Sequence, residues 1–466
     1  MSRRFTAAPR RRAGLVFCLL IVCVPMMPSS AQTPPAWLDA YRAPARRLID
    51  AARAEPAAWR RLAELTDTFG PRLSGSAALE GAIAWALERM RADGLDNVRA
   101  EPVTVPHWVR GEERLDLLAH GERPLPVLGL GGTVGTPPGG ITAEAIVVSS
   151  FDDLAARGED ARGRIVVFDV PFTTYGETVQ YRSRGPSRAA ALGAVATLVR
   201  SVGPMGLRTV HTGGFGYDPA VPKIPAAAIA AEDAMTLHRL QDRGIRPRLR
   251  LQLGAHVLPD ADSANVIGEV RGRERPQEVV VVGCHLDSWD VGTGASDDGA
   301  GCVVAWDAAR LIRKAGLQPR RTVRVVLFTN EENGLRGGLD YRDRHAGELA
   351  EHVLMLEADL GFFPPLTFGF SGSAAAREIV THIASLLAEV DANRMAPRGE
   401  GADIGPSVRA GNIPSMSFNG DEDRYFLIHH TPADTIERIA PEELSRASAA
   451  VAVMAYVVAD LPDRLQ

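Results

Sequence analysis

The second half of the chain alternates short apolar runs with helix-forming stretches. The apolar runs at 279–284, 322–328, 353–356 and 415–418 have the length of strands, and residues 300–315 fit a helix. Strands that are apolar throughout, instead of alternating apolar with polar positions, are typical of a parallel sheet buried on both faces. The sequence therefore predicts an α/β fold in which helices cover both faces of a mostly parallel, mixed sheet.

The pattern changes between residues 121 and 256. Strand-like stretches such as 141–148 and 164–168 dominate there, with one or two helices between them. A chain of 466 residues exceeds what one hydrophobic core usually supports, so at least two globular units are expected. We therefore predict a main domain formed by residues 32–120 and 257–466, with an accessory domain inserted at 121–256.

The first 31 residues differ from the rest of the chain. Arginines precede an apolar run from Ala13 to Met27, and the small residues Ser29, Ser30 and Ala31 follow it. This pattern is typical of a signal peptide, and the run is shorter than the roughly 20 residues that cross a bilayer. We expect residues 1–31 to be removed, which leaves a secreted or periplasmic protein without a stable membrane span.

Composition narrows the classes of function. Hydrophobic residues make up 45% and charged residues 23% of the chain, as in ordinary globular proteins. The formal net charge is -5, and it becomes more negative once the arginines of the signal peptide are removed. A negatively charged protein has no overall attraction for nucleic acid or anionic lipid, so neither is an expected partner.

Acidic and histidine residues follow the apolar runs, at the points where the predicted strands end. They are His285, Asp287, Asp297, Asp298, Glu331, Glu332, Asp359 and His430. Because the carboxyl ends of parallel strands meet at one edge of an open sheet, we expect these side chains to share one site. Carboxylates and imidazoles without a thiolate are suitable ligands for catalytic zinc, which keeps a position for water. The pattern therefore indicates a hydrolytic zinc centre.

Each motif also has a structural interpretation when it is taken alone. Asp297 and Asp298 alone would form a turn, and Glu331 and Glu332 alone would begin a solvated helix whose dipole favours acidic residues. A lone histidine beside a strand, such as His285, is more often a satisfied polar group than a ligand. The structural interpretation requires five coincidences in one order, so we favour a shared metal site.

The residue types suggest a division of roles. His285 would bind one zinc ion, and the Asp287 carboxylate could hold the imidazole ring by a hydrogen bond. Asp297 lies in a glycine-flanked loop where one carboxylate could bridge two ions. Of Glu331 and Glu332, one would bind the second ion, and the other would act as a general base that takes a proton from the attacking water.

The ordered motifs resemble those of a known enzyme family. The chain contains His-x-Asp, Asp-Asp-x-Ala-Gly, Asn-Glu-Glu, Glu-x-Asp and His-Thr-x-x-Asp-Thr in this order. The series is similar to that of the di-zinc exopeptidase family that contains bacterial leucyl aminopeptidases, aminopeptidase Y and glutamate carboxypeptidases. Residues 70–75, 287–292 and 402–406 resemble its carboxypeptidase Q branch most closely.

This resemblance implies a ligand set and two supporting roles. The implied ligands are His285, Asp297 and Asp359 for one zinc ion, and Asp297, Glu332 and His430 for the other. Glu331 would be the general base and Asp287 a supporting carboxylate. His430 is preferred over His429 because the family's ligand stands four residues before the acid of the Asp-Thr pair, which is Asp434 in this chain.

The function that the resemblance implies is a secreted exopeptidase with two zinc ions per chain, acting on dipeptides or short peptides. It also implies that 121–256 is a protease-associated-like domain and that the chain forms a homodimer. An aminopeptidase that releases N-terminal residues and a related zinc amidohydrolase remain alternatives. A non-catalytic binding protein on the same fold is a further alternative, but the full set of ligands argues against it.

Two features stay open at the level of sequence. Arg409 and Arg424 are candidates for binding a substrate carboxylate, or they are solvated surface residues. Cys284 and Cys302 could form a disulfide in an oxidising compartment or remain as buried thiols, because sequence alone does not give the distance between them.

Overall fold

The computed structural model describes residues 35–118 and 121–465, so the predicted signal peptide at 1–31 lies outside the described residues. The strands are β1 (Asp96–Val109), β2 (Glu113–Leu118), β3 (Glu122–Leu125), β4 (Val127–Gly129), β5 (Ile141–Val148), β6 (Ile165–Phe168), β7 (Ala196–Arg200), β8 (Ala226–Ile229), β9 (Arg248–Leu253), β10 (His256–Val270), β11 (Arg275–His285), β12 (Arg321–Phe328), β13 (His352–Leu360), β14 (Thr367–Ser371), β15 (Arg394–Ala396) and β16 (Ser415–Asn419).

The helices cover the faces of the sheets. They are α1 (Asp39–Ala54), α2 (Ala57–Phe69), α3 (Ala77–Ala92), α4 (Phe151–Ala156), α5 (Gly158–Ala161), α6 (Tyr175–Ala191), α7 (Ala231–Asp242), α8 (Ala300–Lys314), α9 (Arg336–Arg344), α10 (Ala374–Ala384), α11 (Gly405–Gly411), α12 (Glu422–Ile428) and α13 (Pro441–Asp460). Within the described part of the chain, none of these helices combines the length and the apolar character that a membrane span requires.

One sheet has the strand order β1-β10-β12-β11-β13-β16-β14-β15. Its central strands β12, β11, β13 and β16 are parallel, whereas β10 runs antiparallel to β1 and β12, and β14 runs antiparallel to β16. Each of the four apolar runs noted in the sequence lies inside one of the parallel strands. The predicted α/β fold with a mixed sheet that is mostly parallel at its centre is therefore confirmed.

Successive residues of the central strands face opposite layers. Val280 and Val282 of β11 belong to the larger core, which includes α8 and α13, while Val279 and Val281 share a second core with Tyr341 of α9. Because side chains alternate across a strand, a strand that is apolar at every position needs an apolar layer on each side. The sheet is accordingly covered on both faces.

The second sheet has the order β3-β2-β9-β5-β6-β7-β8-β4. Strands β5 to β8 are parallel neighbours, and β9 joins β5 in an antiparallel pair. Its strands lie between Glu113 and Leu253, so β2 begins upstream of residue 121. Val147 packs into an apolar cluster on one face and Val148 into a cluster on the other, as expected for a buried strand.

The first residue of β13, His352, is buried between two polar partners. Its Nε2 accepts from the Tyr341 hydroxyl at 2.8 Å, and its Nδ1 lies 2.9 Å from the carbonyl oxygen of Glu348. Burial lowers the pKa of His352 to about 4, and burial also raises the pKa of Tyr341 to about 12. Both rings are therefore neutral at pH 7.

We expect folding stability to decrease as the pH falls from about 6.5 towards 4, because the unfolded chain then protonates an imidazole that stays neutral in folded His352. The variant His352→Gln lacks this imidazole. The difference in the free energy of unfolding between wild type and the variant should therefore change by up to about 3 kcal/mol between pH 6.5 and pH 4. Urea unfolding at a series of pH values measures the shift. His256→Gln, which removes an exposed imidazole, is the control, and parallel curves for wild type and His352→Gln would contradict the prediction.

Candidate metal centre

The predicted site residues converge at one edge of the first sheet. His285 is the last residue of β11, Glu331 and Glu332 lie in the turn after β12, and Asp359 is next to last in β13. His430 arrives from outside the sheet, two residues after the end of α12. Because β11, β12 and β13 are parallel, their carboxyl ends bring these side chains to a common position.

The first group of ligating atoms surrounds Nε2 of His285. This nitrogen lies 3.3 Å from Oδ1 of Asp297 and 3.3 Å from Oδ1 of Asp359. One ligand atom from each of these three residues lies within 4.8 Å of the other two. Atoms bound at about 2.0–2.1 Å around a tetrahedral zinc ion are separated by roughly 3.3 Å, so the spacing fits the ion.

The second group surrounds Nε2 of His430. It lies 3.1 Å from Oδ2 of Asp297 and 3.0 Å from Oε2 of Glu332. One oxygen of Asp297 therefore faces His285 and the other faces His430. Burial disfavours the charged form of Asp297, but hydrogen bonds from His285 and His430 hold the pKa of its carboxyl well below the usual range. A carboxylate placed in this way can contact two cations.

The neighbouring His429 reaches the same carboxylate at a longer distance. Its Nε2 lies 3.5 Å from Oδ2 of Asp297, and its ring stacks on the ring of His430 with centroids 3.5 Å apart. His430 contacts two carboxylates at 3.1 Å or less, whereas His429 contacts one. Both histidines are buried, so the doublet is part of the centre and not an exposed pair.

Negative charge is concentrated around these histidines. Burial, followed by the charge of Asp297, raises the pKa of Glu332 to about 7. Burial also raises the pKa of Glu331 well above its usual range, with further contributions from Asp359 and Glu332. Carboxyl groups that are buried together in this way disfavour ionisation unless a cation is present. The donor set therefore fits hard divalent cations.

Glu331 differs from its neighbours in having a free carboxylate. Its main-chain amide is bonded to Asp287, but its side chain makes no hydrogen bond within the described part of the chain. The side chain lines a cavity of about 650 Å³ that also exposes Asp297, Glu332 and Asp359. A carboxylate with a raised pKa that faces such a cavity is able to accept and return a proton.

Asp287 supports the site in a different way from the one that the sequence suggested. Its carboxylate accepts the main-chain amides of Glu331 at 3.1 Å and Glu332 at 3.3 Å. Nδ1 of His285 lies 3.0 Å from the main-chain carbonyl oxygen of Asp287 but 3.8 Å from its carboxylate. The expectation that the carboxylate holds the ring is therefore wrong, because the main chain of Asp287 provides that contact.

Asp298 and Asp434 fix the loop that carries Asp297. The Asp298 carboxylate accepts the amides of His285 and Gly301, each at 3.1 Å, which directs it away from the cavity. The Asp434 carboxylate accepts the amides of Ser296 at 2.7 Å and Asp297 at 3.1 Å. In the sequence Asp434 served only to choose between His430 and His429, since nothing local indicates a partner 137 positions away.

Arg72 is a buried support that the sequence did not reveal. Its guanidinium donates to the main-chain carbonyl oxygens of Gly70, Leu286, Thr293 and Gly294 at 2.7–3.0 Å. Burial lowers the pKa of Arg72 to about 10, although nearby carboxylates oppose this effect. Arg72 lies in residues 70–75, which contributed to the family resemblance. This resemblance was the only feature of the sequence that pointed to Arg72.

A segment between β7 and β8 of the second sheet holds the histidine doublet. Nδ1 of His211 lies 2.8 Å from the carbonyl oxygen of His429, and the amide of Thr212 donates to the carbonyl oxygen of His430 at 3.0 Å. The Thr212 carbonyl oxygen lies 3.4 Å from Nδ1 of His430. Residues of the second sheet region therefore orient the imidazole of His430.

Cys284 and Cys302 form a disulfide, with Cα atoms 5.1 Å apart. The bond joins the end of β11 to α8. Bridged sulfurs cannot act as thiolates, so the two cysteines leave the ligand set to carboxylates and imidazoles. The sequence had left the disulfide open.

Neither arginine suggested by the sequence lines the cavity. Arg424 donates to Oε1 of Glu443 at 2.8 Å and is partly exposed, while Arg409 borders a separate cavity. The arginine that lines the cavity of the metal centre is Arg182 of α6, which donates to the Tyr175 hydroxyl at 2.7 Å. Its position could not be predicted, because α6 belongs to the second sheet region.

Comparison with known proteins places this geometry in context. A profile of Peptidase family M28 matches residues 265–455. The chain is 45% identical over 407 residues to carboxypeptidase Q of Mus musculus, covering 87% of this chain and 86% of the relative.

Solved structures give the same result for the fold. A peptidase M28 precursor from Shewanella amazonensis SB2B superposes with a TM-score of 0.88 at 34% identity, covering 92% of this chain and 98% of that one. A zinc aminopeptidase from Bacillus subtilis superposes with a TM-score of 0.65 at 23% identity, covering 88% and 98%. The second likeness shows the fold alone.

Proposed function

Because this chain belongs to peptidase family M28 and is a metallopeptidase, we propose that it is a secreted di-zinc exopeptidase. Its substrates are dipeptides or short peptides, in the manner of carboxypeptidase Q. The observation that carries the proposal is the position of Asp297, whose two oxygens face His285 and His430 separately at 3.3 and 3.1 Å. One bridging carboxylate with a histidine on each side suits a pair of ions.

The proposed ligands follow the two groups of short contacts. His285, Asp297 and Asp359 would hold one zinc ion, and Asp297, Glu332 and His430 would hold the other. When bound, zinc would supply Lewis-acid chemistry for the scissile carbonyl and the attacking water. The excess of buried carboxylates over cationic side chains supports the presence of two ions instead of one.

Glu331 is the proposed general base. It takes a proton from water as the oxygen attacks the carbonyl carbon, and it returns the proton to the amine nitrogen as the C–N bond breaks. The products are a carboxylic acid and an amine, which at neutral pH ionise to a carboxylate and an ammonium group. Asp287 holds the main-chain amide of Glu331 and thereby fixes the direction of the carboxylate.

Arg182 is the proposed group for a substrate carboxylate, in place of Arg409 and Arg424. Its side chain is buried, lines the cavity, and forms no ion pair with a carboxylate among residues 35–118 and 121–465. A buried guanidinium without an anion is costly, which favours a carboxylate as its partner. This feature favours a dipeptidase or carboxypeptidase over an aminopeptidase.

An aminopeptidase is the second candidate. The free carboxylate of Glu331, together with Asp359, faces the cavity and would also attract the α-ammonium group of a substrate. A related zinc amidohydrolase would use the same centre on a non-peptide acyl group, and only the substrate separates it from a peptidase.

We further propose that 32–120 and 257–466 form the peptidase domain and that 121–256 is a protease-associated-like accessory domain. Tyr175 and Arg182 of this region line the same cavity as the metal ligands, which supports a role in substrate binding. Export by a signal peptide at 1–31 agrees with the disulfide, since such bonds persist in oxidising compartments.

The first test is amine release from unblocked dipeptides, their C-terminal amides, N-blocked dipeptides and aminoacyl-nitroanilides, using protein loaded with zinc. We expect cleavage of unblocked dipeptides, loss of activity after chelation, and recovery when zinc is returned. Weak activity on the amides is expected if Arg182 binds the terminal carboxylate. Cleavage of nitroanilides would indicate an aminopeptidase, and no amine release with zinc bound would favour the amidohydrolase.

Replacing Glu331 by Gln keeps the shape of the side chain but removes the proton acceptor. We expect kcat to fall by roughly 100- to 10,000-fold while the zinc content stays at the wild-type value. Turnover and metal analysis on the same preparation measure both quantities. Glu442→Gln at the exposed start of α13 is the matched control. Substantial residual activity in Glu331→Gln would remove Glu331 from the role of general base.

Replacing Asp297 by Ala removes the carboxylate common to both groups. We expect the variant to lose both zinc ions, whereas Asp359→Ala should lose mainly one, because Asp359 contacts only the His285 group. Metal analysis after dialysis gives the number of ions per chain. Asp423→Ala on the exposed side of α12 controls for loss of a surface charge. Retention of two ions by Asp297→Ala would disprove the bridge.

A further inference from the structure

A side recess opens from the cavity of the metal centre next to Asp359. It has a volume of about 490 Å³, and it shares Tyr175, Asp359, Leu360 and Ala402 with the main cavity. None of the described residues that line the recess is a lysine, an arginine or a histidine. The reaction proposed above leaves this space unused.

The floor of the recess comes from two neighbouring parallel strands. Glu357 and Asp359 of β13 both line it, as expected for side chains two positions apart on one strand, and Ser417 of β16 is the pairing partner of Glu357. Ser417 is 6% exposed, and its hydroxyl makes no hydrogen bond within the described part of the chain. A buried hydroxyl without a partner is costly, so Ser417 indicates a polar occupant.

The wall of the recess carries the free carboxylate of Glu400. Glu357 accepts hydrogen bonds from the main-chain amides of Ala402 at 2.7 Å and Ile404 at 2.8 Å, which holds this segment over the strands. Gly401 allows the close approach, since a Cβ at this position would overlap the Glu357 carboxyl group. The Glu400 side chain is exposed and forms no ion pair or hydrogen bond with any described residue.

The distribution of charge in the recess favours a cation. Two main-chain amides compensate the carboxylate of Glu357, and Asp359 is a proposed metal ligand. No cationic side chain among residues 35–118 and 121–465 pairs with Glu400. An ammonium or guanidinium group in the recess could pair with Glu400 and donate a hydrogen bond to the Ser417 hydroxyl, whereas an apolar group would leave both without a partner.

We propose that this recess is a specificity subsite for the basic side chain of a lysine or arginine at the N-terminus of the substrate. The inference rests on the proposed peptidase function. Arg182 lines the main cavity but not the recess, so the terminal carboxylate of a dipeptide binds outside the recess. Asp359 at the mouth of the recess attracts the α-ammonium group at the other end of the substrate. The side chain of that N-terminal residue then extends towards Glu400.

The test compares Arg-Ala with citrulline-Ala, in which a neutral urea group replaces the guanidinium group and keeps its shape. We expect the wild-type protein loaded with zinc to cleave Arg-Ala with a kcat/KM roughly 10-fold higher, because hydrogen bonds between charged groups are stronger than those of neutral groups. Ala-Arg and Ala-citrulline should have similar values of kcat/KM, since the C-terminal side chain lies outside the recess.

Two variants test the charge of the recess. Glu400→Gln should lower the ratio of kcat/KM for Arg-Ala to that for citrulline-Ala to about 1–2, because the carboxylate that selects the cation is gone. Asn419→Asp adds a carboxylate to the lining of the recess and should raise this ratio. The ratio separates loss of the cation subsite from a general loss of structure. Glu422→Gln removes an exposed carboxylate at the start of α12 and is the matched control.

Three results would overturn the proposal. Equal kcat/KM for Arg-Ala and citrulline-Ala would exclude a cation subsite and leave the peptidase function intact. A ratio that Glu400→Gln does not change would place the cation elsewhere, and a preference for Ala-Arg over Ala-citrulline would place it on the C-terminal residue. If the wild-type protein cleaves no peptide, the proposed function fails. Calorimetric affinities of wild type and Glu400→Gln for Arg-Ala and citrulline-Ala then still decide whether the recess binds the basic side chain.

Discussion

The repulsion among buried and partly buried carboxyl groups around the metal centre is the constraint on which the rest of the centre depends. The buried groups are Asp287, Asp297, Asp298, Glu357, Asp403 and Asp434, and the partly buried groups are Glu331, Glu332 and Asp359. Burial raises the pKa of each of them except Asp297, which the two histidines keep low. Such a cluster is stable only if cations or aligned dipoles compensate it.

Eight of these nine carboxylates fall into two sets, and Asp403 belongs to neither. Asp287, Asp298, Glu357 and Asp434 each accept hydrogen bonds from two main-chain amides. Asp297, Glu331, Glu332 and Asp359 instead expose oxygens to the cavity. Main-chain dipoles therefore stabilise the supporting carboxylates, while the second set is available for the proposed metal binding and proton transfer. Arg72 also stabilises this part of the chain, because its guanidinium donates hydrogen bonds to the main-chain carbonyl oxygens of Leu286, Thr293 and Gly294.

The sequence predicted the sheet and the groups that come together, because both depend on local pattern. A fully apolar run such as 279–284 specifies a buried parallel strand, and parallel topology then brings His285 and Asp359 to one edge. The supporting contacts could not be predicted in this way. Asp434 accepts a hydrogen bond from the main-chain amide of Asp297, which is far from it in the sequence. The acceptor for Nδ1 of His285 is a main-chain oxygen, and every residue type has such an oxygen, so the sequence does not reveal it. The roles of the ligands remain proposals.

The contact of residues 211 and 212 with the histidine doublet limits how the protein can open. Three hydrogen bonds join His211 and Thr212 to His429 and His430, and one of them ends on the ring of His430. If the second sheet swung away from the first to admit substrate, these bonds would break and His430 would lose the acceptor that orients it. An open form of this kind would hold its ions less tightly. These bonds therefore favour substrate exchange by local movement at the cavity mouth over separation of the two sheets.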